Sequence, residues 1–228
     1  MKSWLLQQYD RLAARAAFLA VRNIQADVVA FSKLRATFDS AAYYDEHFQQ
    51  ARALSSRQEI LIFAADLAPA EGLVLEFGVA SGWTINLLSR RLAGRKIYGF
   101  DSFEGLPEKW WQMEKGAFAQ EPPEVPPNVE LVVGLFDATL PGFVQANEGP
   151  VALLHVDCDL YESTVTVFRQ LEDRIQPGTV ILFDEYWNYP GWREHEHRAL
   201  QEFAQRANLR YRYVALVPNL QQVCIVIE

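Results

Sequence analysis

After Gly72 the chain stops reading as continuous helix and alternates short aliphatic or β-branched runs with stretches of helical period. That texture constrains the fold more than any other feature, since it is what a parallel sheet with helical crossovers requires. The strand candidates are Leu73–Phe77, Lys96–Asp101, Val129–Val133, Val151–Asp157 and Thr179–Asp184. A helix fits Thr84–Leu92, with Ile85, Leu88 and Leu92 on one face and Gly94 as its stop. Another fits Ser163–Ile175, with Val167, Leu171 and Ile175 aligned before Pro177-Gly178. Tyr211–Leu216 and Val223–Ile227, around Pro218-Asn219, read as a hairpin of two further strands.

Four of the five candidate runs end in or beside an acid: Glu76, Asp101, Asp157 and Asp184, with Asp159 and Glu185 just beyond two of them. In open parallel sheets the ligand crevice lies outside the carboxyl ends of the strands, so these acids are expected to converge there. Each alone reads as a helix cap or a solvated loop acid; four in register point to a site.

The first acid opens Glu76-Phe77-Gly78-Val79-Ala80-Ser81-Gly82, a glycine turn between a strand and a helix, and Asp101 ends the next strand 23 residues after Gly78. Glycines let a ligand approach the backbone, and the second acid suits ribose hydroxyls. The middle glycine of a dinucleotide fingerprint is Ala80 here and its last is Trp83, whose bulk opposes a pyrophosphate site. A nucleoside without pyrophosphate fits better. S-adenosylmethionine is one, and its positive charges suit nearby acids.

The wider composition narrows the function classes. With 228 residues, half of them hydrophobic, the chain has material for one core and an appendage. A net charge of −8 makes nucleic acid a poor partner. The charge is split, because residues 1–58 hold eight basic and five acidic side chains while the rest is strongly acidic. Leu5 to Leu19 has the period of an amphipathic helix, with Arg11 and Arg15 toward solvent; more helix is expected over Val28–Leu34 and Ser55–Leu67. The predicted division is a helical segment over 1–58, serving as a lid or a dimer contact, followed by a catalytic or binding domain over 59–228. Its basic charge facing an acidic body predicts a homodimer. Cys158 and Cys224 lack metal or scaffold spacing and read as reduced core thiols, which together with the absence of a signal-peptide pattern predicts a cytoplasmic protein. No run approaches the ~20 apolar residues that span a bilayer.

Several segments resemble the macrocin-type O-methyltransferases, a family of class I S-adenosylmethionine-dependent enzymes. They are the turn Glu76–Gly82, the run Tyr98-Gly99-Phe100-Asp101-Ser102-Phe103-Glu104-Gly105-Leu106-Pro107, the segment Gly134–Pro141, and His155-Val156-Asp157-Cys158-Asp159-Leu160-Tyr161 followed by Phe183-Asp184-Glu185-Tyr186. The resemblance covers roughly residues 73–203. It implies a Rossmann-like three-layer α/β sandwich with a seven-stranded, mostly parallel sheet and one antiparallel strand, preceded by the N-terminal helices. It implies a hydroxyl of a small sugar-bearing or polyol metabolite as acceptor. Glu76 and Gly78 would take the methionine end of the cofactor, Asp101 the ribose, and Phe136 and Asp137 the adenine, with Ser81 and Ser102 also in the cofactor site. Asp157 and Asp184 would be catalytic and, with Glu185, would hold a divalent cation such as Mg2+, carboxylate oxygens being hard ligands. Glu185 departs from the paired aspartates expected there, and Leu160 stands where a related group of enzymes has its lysine base. No lysine base is then nominated: a bound cation could lower the pKa of a vicinal diol, or Asp157 could accept the proton. His155 reads as structural, and His195 and His197 sit in a charged run that reads as a solvated helix face. Two aromatic loops, Ser102–Asn128 and Tyr186–Trp192, are expected to form the acceptor pocket. The rival readings are a non-catalytic cofactor-binding scaffold and a nicotinamide oxidoreductase, the latter opposed by Ala80 and Trp83.

Overall fold

A computed structural model describes Leu19 and residues 27–228 of the chain. The helix expected over Leu5–Leu19 lies, apart from Leu19 itself, outside the described residues. The elements in chain order are α1 (Val28–His47), β1 (Arg52–Ala53), α2 (Arg57–Leu67), β2 (Leu73–Phe77), α3 (Trp83–Arg91), β3 (Ile97–Asp101) and β4 (Val129–Val133). There follow α4 (Phe136–Ala146), β5 (Val151–Val156), α5 (Tyr161–Leu171), β6 (Val180–Phe183), α6 (Glu196–Arg206), β7 (Tyr211–Leu216) and β8 (Val223–Ile227).

The strands form one sheet in the order β1-β7-β8-β6-β5-β2-β3-β4, parallel except for β8, which runs against both β6 and β7. The expected α/β sandwich with one antiparallel strand is therefore present, but the sheet has eight strands rather than seven. The extra one is Arg52–Ala53, two residues pairing with Ala215 and Leu216 at the edge. Both its side chains are exposed, so it carries no hydrophobic pattern that a sequence reading can find.

Side chains alternate across the strands and fill two cores. Leu75, Phe77, Leu154, Val156, Ile181 and Phe183 face α4, α5 and α6, whereas Val74, Leu153, Val180 and Leu182 face α2 and α3. Burial on both faces explains why the central runs read as continuous hydrophobic stretches; all six residues of β5 are buried. Helix α1 starts where Asp27 caps the backbone N–H groups of Val29 and Ala30, and it runs well past the expected Leu34. Its Tyr43 hydroxyl bonds Tyr213, and Asp39 holds Arg193 through both oxygens. With β1 in the sheet and α2 beginning at Arg57, part of the 1–58 segment is woven into the body. No helix among the described residues is long and apolar enough to cross a membrane.

The strand order also fixes where a ligand can sit. From β2 the chain moves outward through β3 and β4, then returns to place β5 on the other side of β2. The ligand crevice of such a sheet is expected beside that reversal, at the ends of β2 and β5.

Candidate active site

A cavity of about 490 Å3 opens at the crevice, bounded by the turn after β2, the ends of β3, β5 and β6, the start of α4 and the loop over 102–128. Its size is in the range of sites for drug-sized ligands. Gly78, Ser81, Asp101, Ser102, Phe136 and Asp137 all line it, together with Asp157, Asp184 and Glu185. Of the expected cofactor residues only Glu76 does not.

Glu76 is wholly buried. It stands opposite His155 in the β2–β5 register, accepts a hydrogen bond from the Thr84 hydroxyl at 2.9 Å and lies 2.9 Å from His155 Nδ1. Alternation of side chains along β2 turns it into the sheet's packed face rather than toward the crevice. The expected contact with the methionine end of a cofactor therefore does not fit its position. His155 is structural, as its place inside a strand suggests. Its burial opposes a charge, but the bond to Glu76 and the negative charges of Glu76, Asp184 and Asp157 around it prevail and hold its pKa up at about 10.

Asp101 proves to be a fastener of the glycine turn. Its Oδ2 accepts the Val79 and Ala80 backbone N–H groups, both at 2.9 Å, and its Oδ1 accepts that of Phe103 at 2.8 Å. A carboxylate offers about four acceptor positions, so Oδ1 retains room for one ribose hydroxyl. Asp101→Ala is expected to weaken cofactor binding at least about tenfold, through the loosened turn as well as the lost oxygen. Titration calorimetry with S-adenosylhomocysteine would read this; undiminished affinity would contradict it.

The floor of the cavity is acidic. Seven carboxyl groups line it (Asp101, Asp137, Asp157, Asp159, Glu162, Asp184, Glu185) against a single guanidinium, that of Arg57. Arg57 is the first residue of α2, and it bridges two strand ends: Nη2 donates to Asp157 Oδ2 at 2.5 Å and Nε to Asp184 Oδ1 at 2.7 Å. Gln222 donates to the other oxygen of Asp184 at 3.1 Å. The two aspartates are pulled apart in acidity. Burial raises the Asp157 carboxyl well above its ordinary range, the Asp184 charge adds to this, and Arg57 offsets only part. Burial would raise Asp184 too, but His155 and Arg57 outweigh it and hold that group below its ordinary value. Asp159 is pushed up to about 7, chiefly by burial.

The divalent cation implied by the resemblance meets an obstacle. Oxygens of Asp157 and Asp184 and a nitrogen of His155 lie within 4.8 Å of one another, a spacing a metal ion could use. However, the aspartate oxygens already bind Arg57, and a guanidinium and a metal ion cannot share them without strong like-charge repulsion. The Nδ1 of His155 is already taken by Glu76, and a raised pKa favours the imidazolium, which has no lone pair to give. Glu185, the third expected ligand, has its Oε2 buried without a hydrogen-bond partner, and burial pushes its pKa well up, which favours the neutral acid. The donor set does not fit a divalent ion while Arg57 stays in place.

The acceptor side also departs from expectation in part. Leu106, Pro107, Trp110 and Phe118 bring the loop over 102–128 to the cavity, as predicted. The loop is held by its own backbone, with Leu106 and Ala117 bonded at 2.9 Å and Trp110 and Met113 bonded in both directions. In contrast, Tyr186, Trp187, Tyr189 and Trp192 are all buried at 3% exposure or less and cap the core instead of lining the site. The run Arg193–Arg198 is not a plain solvated face either, since Glu196 is wholly buried and accepts the Glu185 backbone N–H.

Arg57 is the residue that sequence reasoning missed, having been counted only as part of a basic N-terminal segment. A signal existed. A cation in the first turn of a helix opposes the helix dipole, so an arginine directly after the capping Ser56 needs an outside reason to be there.

Comparison with known proteins agrees with this geometry. Residues 75–186 match the family model described as "Methyltransferase domain". An alignment of 113 positions is 31% identical to the 8-demethyl-8-(2,3-dimethoxy-alpha-L-rhamnosyl)-tetracenomycin-C 4'-O-methyltransferase of Streptomyces olivaceus, covering 40% of this chain and 42% of that protein. Among solved structures, the calicheamicin methyltransferase CalS11 superposes with a TM-score of 0.58 at 22% identity over 74% of this chain and 76% of its own. The O-methyltransferase NovP does so at 0.58 and 20%, over 75% and 78% of the two chains. At these identities the two structures speak to the fold.

Proposed function

We propose, from the match of residues 75–186 to a methyltransferase domain, that the protein is an S-adenosylmethionine-dependent O-methyltransferase acting on a hydroxyl of a small sugar-bearing or polyol metabolite. One observation carries the reading: a glycine turn, a ribose-competent acid and a ring of strand-end carboxylates surround a single cavity. So acidic a wall attracts the sulfonium and ammonium of S-adenosylmethionine and repels a diphosphate, which argues against a nicotinamide cofactor. A sugar acceptor is supported by the rhamnosyl substrate in the name of the Streptomyces olivaceus relative and by the apolar wall of Leu106, Pro107, Trp110 and Phe118, which suits a ring face.

The cofactor supplies an electrophilic methyl group, to be displaced in line from sulfur by the acceptor oxygen. The chain's share is to bind, align and exclude water. The turn Gly78–Gly82 and Phe136 border the side of the cavity suited to the nucleoside, while Asp157, facing the cavity and held as a carboxylate by its bond to Arg57, takes the proton that the acceptor hydroxyl gives up. Retention of Asp157 and Asp184 at the cavity disfavours a scaffold that has lost its chemistry.

Two measurements test the proposal. S-adenosylhomocysteine is expected to raise the melting temperature and NAD to leave it unchanged; the reverse pattern would end the reading. Asp157→Asn is expected to bind cofactor as the wild type does and to lose about 10²- to 10⁴-fold in turnover, the contribution of a general base. Equal loss of binding would take the proton-acceptor role from Asp157.

A further inference from the structure

We propose that the Arg57 guanidinium is the resident cation of this site, standing between Asp157 and Asp184 where a divalent ion would otherwise lie, and that it contacts the acceptor oxygen directly. The inference deepens the methyl-transfer reading and rests on it for the acceptor contact only. Its first half concerns the empty protein and stands or falls without any turnover.

The placement is specific. Ser56 caps α2 by accepting the Glu59 N–H, which fixes Arg57 at the first helical position. From there its side chain crosses to the ends of β5 and β6 and ties two carboxylates whose strands are neighbours in the sheet. Trp83, at the start of α3, covers it at 5.7 Å from ring centre to guanidinium carbon. A cation wedged between two acids and an aromatic face is held in position and direction, as a metal ion would be.

The bonds to the aspartates use Nε and Nη2 and leave Nη1 without a partner among the described residues, on a side chain that lines the cavity. Planar guanidinium has five N–H groups in a fixed fork, so two of its nitrogens can hold the acids while the third faces a ligand. The acceptor oxygen gains negative character as its proton passes to Asp157 and the new C–O bond forms. Arg57 then donates to that oxygen, giving charge stabilisation where a metal would have given Lewis acidity.

The test is Mn2+ binding by the full chain, read as loss of the free-ion electron paramagnetic resonance signal with neither cofactor nor acceptor present. Wild-type protein is expected to leave the signal unchanged. Arg57→Ala should bind one Mn2+ with an affinity at least about tenfold above wild type, because the repelling charge is gone. Asp184→Asn added to that variant should abolish the gain. Should Arg57→Ala fold poorly, the longer neutral Arg57→Gln is used in its place. Tight Mn2+ binding by the wild type overturns the proposal, and so does silence in both proteins, since the carboxylates would then be no cation site. Neither outcome touches cofactor binding, which the S-adenosylhomocysteine melting shift reads separately. For the acceptor contact, Arg57→Lys keeps the charge but loses the fork; a raised acceptor KM with unchanged cofactor affinity is expected, and an unchanged KM removes that contact.

Discussion

Gly78→Ala is expected to abolish cofactor binding and to cost more than about 4 kcal/mol of stability, since overpacking and backbone strain, two of the mechanisms behind losses of that size, coincide here. A Cβ on this residue would lie 1.8 Å from the Asp157 carbonyl oxygen and 2.7 Å from its carbonyl carbon. Both are backbone atoms of the neighbouring strand end, so no rotamer change relieves the clash. The backbone is also left-handed there, with φ +92°, a conformation that alanine adopts only under strain. The position cannot move away, because the Gly78 N–H is bonded to Phe100 and the Asp157 N–H to Phe77, at 2.9 and 2.8 Å. Glycine is thus demanded by the switch point itself, where the chain after β2 must pass close to the chain after β5. The matched control is Gly142→Ala in α4, whose added Cβ meets nothing within 4 Å. That change is expected to be neutral or to stabilise by up to about 1 kcal/mol, as glycine-to-alanine changes in helices do. Thermal melts with and without S-adenosylhomocysteine would read both. A folded Gly78→Ala protein that binds the ligand normally would show that the crevice is more compliant than the packing implies.

The same close approach explains which parts of the site were legible in the sequence. Strand-end acids and the glycine turn announce themselves because their spacing is set by strand length and by the sheet's topology, both of which leave patterns along the chain. Which way a side chain faces is set by neighbours distant in sequence. Glu76 pairs with Gly99, two residues short of Asp101 at the end of β3, and that offset seals one acid against His155 and Thr84 while the other fastens the turn at the cavity. Similar reasoning covers Glu196, charged in a charged run but buried because the Glu185 N–H needs an acceptor. The aromatic residues of 186–192 look alike in sequence to those of 102–128; packing beneath α1, through Tyr43 against Trp192 and Phe48 against Trp187, draws the first group into the core. Helix α4 was hidden by Pro141 and Gly142, poor helix formers that tertiary packing of Leu140 and Phe143 overrides. Arg57 was hidden for a related reason, since its partners are 100 and 127 residues away.

His155→Leu is expected to destabilise the protein by about 3–5 kcal/mol, the usual cost of removing one member of a buried ion pair. For a chain of this length that corresponds to a fall of roughly 10 °C in melting temperature. The side chains of His155 and Glu76 are 1% and 0% exposed, and they face each other across adjacent strands at the centre of the sheet. Leucine would leave Glu76 with only the Thr84 hydroxyl and would strip a positive neighbour from Asp184, 3.8 Å from His155 Nε2. Replacing both members is a different experiment. In Glu76→Leu/His155→Leu neither charge is left unpaired, so much of the loss should be recovered, and the difference between the double and single variants measures the coupling. The pair also has a pH signature. Folding holds the His155 proton more tightly than the unfolded chain does, moving its pKa from 6.5 to about 10. Its stabilisation is therefore full below the unfolded value and drains away as pH rises through the folded one. Wild-type stability should fall between about pH 7 and pH 10 more steeply than that of the double variant. Parallel denaturant melts across that range would decide it: equal slopes would mean that the imidazole is neutral in the folded protein and that the Glu76–His155 contact is an ordinary hydrogen bond.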